Sequence, residues 1–205
     1  MTEGERIAEQ HRRAYHGQAW HGPAVFELLE GMNAARAASR PIPAAHSIWE
    51  LVLHLTTWES VVRSRLVGDP LNVTSELDWP RPEVPTPGAW ERTKAALHEA
   101  SEGLRVVIAR MTDAKLLETR PGTNSTYYDL VHGQVQHALY HAGQIAVLAK
   151  GRPAVARRAA TARKPAKSTR RPAAPKPSKR KAAKRKGVAR RQAAGTRRTG
   201  RGKKR

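Results

Sequence analysis

The chain has 205 residues, with 38 Lys and Arg against 17 Asp and Glu, for a formal net charge of +21. It contains no cysteine, which excludes disulfides, thiolate metal ligands and a cysteine nucleophile. No apolar run approaches the roughly 18 residues a membrane-spanning helix requires. The charge is sharply divided. Gly151–Arg205 carries 23 of the basic residues and no acidic one, so Met1–Lys150 holds 15 basic against 17 acidic residues, a net of −2. All ten aromatic residues also precede position 151. The capacity to build a core therefore lies in Met1–Lys150, and the excess charge lies in the tail.

Taken in chain order, the predicted elements of Met1–Lys150 are helices. Thr2 suits the N-cap of a first helix running to about His16, with Glu3 and Glu5 near its positive end. The stretch GQAWHGP breaks it, and Pro23 is placed to start a second piece, Ala24–Leu29. After RPIP, a long helix over about His46–Val67 carries Ile48, Leu51, Leu55, Trp58, Val62 and Leu66 as its apolar stripe, and Gly68-Asp69-Pro70 ends it. Pro80, Pro82, Pro85 and Pro87 make Leu71–Gly88 an irregular connection. Trp90, Leu97, Leu104 and Ile108 then define a helix over Ala89–Met111. A turn near Ala114–Leu117 and a loop at Pro121-Gly122 lead to a last helix, from about Ser125 to the stop at Gly151.

No segment alternates as a strand would, so the expected fold class is all-α, a four-helix bundle over residues 1–150. The remainder, 151–205, is a Lys/Arg/Ala/Pro-rich tail whose apolar residues are alanine apart from Val155 and Val188. It has too little to bury to offset ordering entropy and is expected to be disordered in isolation.

The most informative residues are His137 and His141 in the last helix. Four positions apart, they share one face, close enough to hold a single metal ion. They fall on a stripe, Leu130, Gln134, His137, His141, Ile145 and Leu148, whose spacing predicts burial. Burying imidazoles is costly unless something ligates or hydrogen-bonds them. A third ligand is expected from another helix, and His54, at the edge of the stripe on His46–Val67, is the best placed. Glu50, one turn earlier, is a candidate to orient an imidazole or to accept a proton. A glutamate-assisted H-E-x-x-H site is ruled out because Ala138 stands where the glutamate would be.

Three segments carry a family resemblance: HSIWELVLHLTTWE (His46–Glu59), DWP (Asp78–Pro80) and QHALYHAGQIA (Gln136–Ala146). Together they closely resemble the DinB-like superfamily, four-helix bundles related to DinB and YfiT metal-dependent hydrolases. The resemblance spans Met1–Lys150 and none of the tail. It implies a three-histidine site for a divalent cation on His54, His137 and His141. It also implies a choice of reactions, since relatives include hydrolases and transferases that use a low-molecular-weight thiol. Zinc, nickel, iron and manganese all remain open as the metal, and the small-molecule substrate is not legible. Three neutral imidazoles would leave the ion's charge uncompensated and positions open, which favours hydroxide or thiolate. Dimers occur in the family, so a homodimer is one expectation for the assembly.

Against the sharp reading stand simpler ones. Glu50 and Glu59 read more simply as solvated or salt-bridged, His46 as a capping or packing residue, and Trp49, Trp58, Trp90 and Tyr140 as core. His11, His16, His21, His98 and His132 have no partner pattern in the sequence. The tail resembles those of linker histones, and its charge points to non-specific nucleic-acid binding through phosphates. The expected location is cytoplasmic, with the tail offering nucleoid association. The competing function is a non-catalytic, nucleoid-associated DNA-binding protein whose metal-bound bundle is structural or dimerising.

Overall fold

The computed structural model describes residues 1–151; the expectation of a disordered tail over Gly151–Arg205 falls outside them, Gly151 excepted. Eight helices occur in this stretch. They are α1 (Glu3–His16), α2 (Val25–Leu29), α3 (Ala34–Ala38), α4 (Ile48–Leu66), α5 (Ser75–Asp78), α6 (Pro87–Ala109), α7 (Asp113–Leu117) and α8 (Tyr127–Lys150). Among the described residues there is no strand, only an isolated bridge between Thr119 and Thr126.

Local chemistry explains the boundaries of the long helices. Thr2 and Glu5 form a reciprocal capping box at α1, as do Ser47 and Glu50 at α4 and Thr126 and Asp129 at α8. Helix α6 starts two residues earlier than its apolar spacing predicts, because Pro87 occupies the first turn behind the Thr86 cap. Two short helices were not legible. Helix α3 is capped by Asn33, and α5, capped by Thr74, lies inside the connection that its prolines mark as irregular.

The bundle is a ring. Helices α1 and α4 each pack against both α6 and α8, which places them at opposite corners. Close approach is built in at Gly4 of α1, where a Cβ would lie 2.6 Å from the Met111 carbonyl oxygen and 2.7 Å from that of Ile108. Gly151 serves a different purpose from the left-handed helix stop that its position suggests. Its φ is −71°, and a Cβ there would meet Pro41 at 2.6 Å.

Two apolar clusters fill the interior. One gathers Trp49, Leu55, Trp90, Leu97, Ala138 and Ile145; the other gathers Ile7, Val62, Leu104, Ile108 and Val131. Between them each long helix contributes buried polar side chains, among them His11, Glu59, Ser101 and Gln134. Glu59 is fully buried and is the hub. Its Oε2 lies 2.8 Å from His11 Nε2, and its Oε1 accepts from Tyr15 Oη and Gln134 Nε2, each at 2.6 Å. Tyr15 is held in its protonated, donating form, because burial and then the Glu59 charge push its pKa well up. His11, which has no partner pattern in the sequence, therefore has a buried partner 48 residues away.

Candidate metal centre

Helices α4 and α8 bring His54, His137 and His141 together, and the ligand atoms they offer lie within 4.8 Å of one another. His137 Nε2 is the centre of the group, 3.1 Å from His54 Nε2 and 3.0 Å from His141 Nε2. The stripe on α8 is rotated slightly from its predicted line. Val131, Gln134, Ala138, Ile145 and Leu148 form its buried centre, and His137 stands at the edge, half-buried. His54 and His141 are only 6% and 5% exposed, so two rings are sunk in protein while the third faces an opening.

The outer nitrogens determine which tautomer each ring adopts. His54 Nδ1 lies 2.7 Å from the backbone oxygen of Asp78, an atom that only accepts, so Nδ1 carries the proton and Nε2 presents a lone pair. His141 Nδ1 similarly faces Gln144 Oε1 at 2.6 Å. His137 Nδ1 is buried without a hydrogen-bond partner among the described residues. Asp78 does further service. Its Oδ1 lies 3.3 Å from His54 Nδ1 and accepts the Trp58 indole N–H at 2.7 Å. Trp79 follows, stacked on His54 at 3.9 Å between ring centres and on His46 at 3.7 Å, nearly parallel to both. The DWP segment thus roofs the site, its peptide oxygen and indole fixing one imidazole.

All three histidines have lowered pKa values, with burial as the first cause. His137 is lowered to about 4, the positive charges of His141 and His54 adding to burial. At neutral pH the three rings are therefore uncharged. Three imidazole edges then meet with at least two lone pairs pointing inward, and one N–H cannot satisfy both. A divalent cation would satisfy them. Nitrogens around 2.0–2.1 Å from a tetrahedral ion stand roughly 3.3 Å apart, close to the separations seen here.

The same shifts predict how the metal-free domain responds to acid. Folded-state pKa values lie below the ordinary 6.5, so above that pH both folded and unfolded forms are neutral and the sites cost nothing. Below it the unfolded chain binds protons that the fold resists. Stability should fall as pH drops through 6.5 toward about 4, where His137 itself protonates. Denaturation midpoints at about pH 7.5 and about pH 5 measure this, and the loss should shrink in His137→Ala. A flat profile would count against a buried neutral triad.

Glu50 lies elsewhere. Its carboxylate closes the α4 capping box on Ser47 and pairs with Arg40, and no hydrogen bond joins it to the three histidines. The orienting task expected of Glu50 falls to Asp78 and Gln144. Asp78 sits in the DWP motif but 24 residues from His54, beyond the reach of helical spacing.

Beside His54 and His137 opens a cleft of about 410 Å³, walled by Trp58, Asp78, Arg120 and Gln134. An all-α bundle with an inward histidine triad next to such a cleft defines a recognisable class of protein. Residues 19–145 match the family model of the DinB superfamily, and the chain belongs to that superfamily. No curated protein and no solved structure matches it. Helix α1 lies outside the matched stretch, yet it supplies His11 and Tyr15 to the polar layer.

Proposed function

We propose that this DinB-superfamily domain holds one divalent metal ion on His54, His137 and His141 and uses it for hydrolysis or thiol transfer on a small substrate. The observation that carries this reading is the convergence of three Nε2 atoms, two of them oriented from behind, at the wall of an open cleft. When bound, the ion would act as a Lewis acid that makes an oxygen or sulfur nucleophile available near neutral pH. The protein's own part is to hold the rings neutral and to direct their lone pairs inward. Metal analysis of the purified full chain, followed by hydrolase and thiol-transfer assays with zinc, nickel, iron and manganese, tests it. The cleft favours this reading over a purely structural ion, which calls for a closed site.

Removing the support behind a ligand should weaken binding without abolishing it. Gln144→Leu leaves His141 Nδ1 without its acceptor, and metal affinity should drop by about 10–100-fold. Competition titration with a chromogenic chelator measures this; unchanged affinity would mean that Gln144 does not orient His141.

The tail is proposed to bind nucleic acid through phosphates, on the strength of its 23 positive and no negative charges. Deleting residues 152–205 should lower affinity for random-sequence duplex DNA by about a hundredfold or more at roughly 0.1 M salt. Equal affinity and salt dependence of the two forms would refute tail-driven binding.

A further inference from the structure

The cleft next to the triad also has an arginine in its wall. Arg120 lines it together with Ser125, Asp129, His54 and His137. The arginine is set in a tight loop between α7 and α8. Its N–H donates to the Ser125 oxygen at 2.9 Å, Thr123 N–H donates back to the Arg120 oxygen at 3.2 Å, and its Nη2 holds Ser125 Oγ. The Arg120 Nε is buried with no hydrogen-bond partner among the described residues, an unpaired donor of the kind that proteins rarely leave. A second guanidinium lies nearby, with Arg65 Cζ 5.5 Å above the ring of Trp58, which forms the cleft wall. Burial and then the charge of Arg120 lower the pKa of Arg65, so the two guanidinium groups lie close enough for their charges to interact.

The acids at the cleft make no direct ion pair with either arginine, although the charge of Arg120 helps to lower the pKa of Asp129. Asp129 spends its carboxylate on the N–H and hydroxyl of Thr126, and Asp78 on Trp58 and His54. Neither Arg65 nor Arg120 is in an ion pair among the described residues, although six other arginines are. Guanidinium groups with no direct carboxylate partner keep donors free, and a guanidinium is shaped to receive a carboxylate or phosphate. A cleft of about 410 Å³, with Arg120 and the two histidines in its wall, has room for a small metabolite.

We propose that this cleft is a substrate site with an oxyanion subsite: Arg120, assisted by Arg65, holds the carboxylate or phosphate of a small anionic substrate while its reacting end lies at His54 and His137. The inference rests on the metal-centre reading only for what happens at the histidine end.

The test uses the isotope-labelled full chain and follows the indole N–H signal of Trp58 by nuclear magnetic resonance. Succinate, inorganic phosphate and neutral succinamide are the probes, each titrated with zinc present and after chelation. Succinate or phosphate should give a saturable shift, whichever binds more tightly naming the preferred oxyanion, and succinamide none. Arg120→Gln should weaken that binding by about tenfold or more, and Arg65→Gln by a smaller factor. Because Arg120 also ties down Ser125, circular dichroism and the Arg65 variant keep the result independent of any loss of loop structure. The idea is overturned if neither anion moves the Trp58 signal, or if both variants bind the anions as the native chain does. Zinc binding without arginine-dependent anion binding would sink this inference and leave the metal reading intact. Arginine-dependent binding in a chain that takes up no zinc would do the reverse.

Discussion

Replacing His137 by alanine is expected to abolish stoichiometric metal binding, from about one ion per chain to near none. His137 Nε2 stands within 3.1 Å of both partner nitrogens, so its loss leaves two ligands that no longer share a third. The metal-free fold should survive, because His137 sits at the edge of the buried stripe and its Nδ1 holds nothing. A second consequence is thermal. Metal at about 100 times its dissociation constant should stabilise the native chain by roughly 2.7 kcal/mol, and this gain should vanish in the variant. Elemental analysis after dialysis, paired with melting curves with and without zinc, measures both effects. Full occupancy in His137→Ala would remove the histidine triad as the metal centre.

The largest effect on stability is expected from Glu59→Ala. Glu59 has no exposure at all and accepts from Tyr15 and Gln134 while paired with His11, so truncation strands three buried polar groups at once. Leaving a buried polar group unsatisfied typically costs about 1–3 kcal/mol, so stranding three at once should cost roughly 3–5 kcal/mol. For a domain of this size that corresponds to a drop in melting temperature of roughly 10 °C. Replacing only the donor, in Tyr15→Phe, should cost far less, about 1–2 kcal/mol, since Glu59 keeps two partners. Chemical denaturation of both variants resolves the difference. A loss below about 1 kcal/mol in Glu59→Ala would mean that water or rearranged neighbours replace the network.

The polar layer also bears on how this bundle is specified. Apolar clusters on either side could slide past one another by a helical turn at modest cost. A carboxylate that meets a histidine and a tyrosine on α1 and a glutamine on α8 would lose those partners in a shifted register. Gln134 then links the layer to the cleft, which it lines one turn before His137. The same alignment that satisfies Glu59 therefore sets the height at which α8 presents its histidines to α4.

Much of this was legible from the order of residues alone. Capping residues and apolar spacing located all four long helices to within two or three residues, because helix initiation and amphipathic burial depend on near neighbours. The His137–His141 pair and its candidate partner His54 followed from the cost of placing imidazoles on an apolar face. Glu50 shows how a local contact competes with a role at the site, and it takes the salt-bridged arrangement of its simpler reading. Its spacing from His54 is suitable, but a capping box offered its carboxylate closer partners, Ser47 and Arg40.

Spacing along a helix says which side chains share a face; it says nothing about which loop covers that face. By itself, then, the sequence determined an all-α bundle, a strongly basic extension and a histidine trio. Only the tertiary structure decided that the Asp78 peptide oxygen and Gln144 orient two of the rings, that Trp79 stacks on one, and that Glu59 is the buried hub of the core. It alone decided that Arg120, in a loop before α8, lines the same cleft as His54 and His137. The physical reason is common to all of these. Each contact joins residues far apart in the chain through groups whose pairing is chosen by desolvation in the folded interior, and no local periodicity encodes that choice.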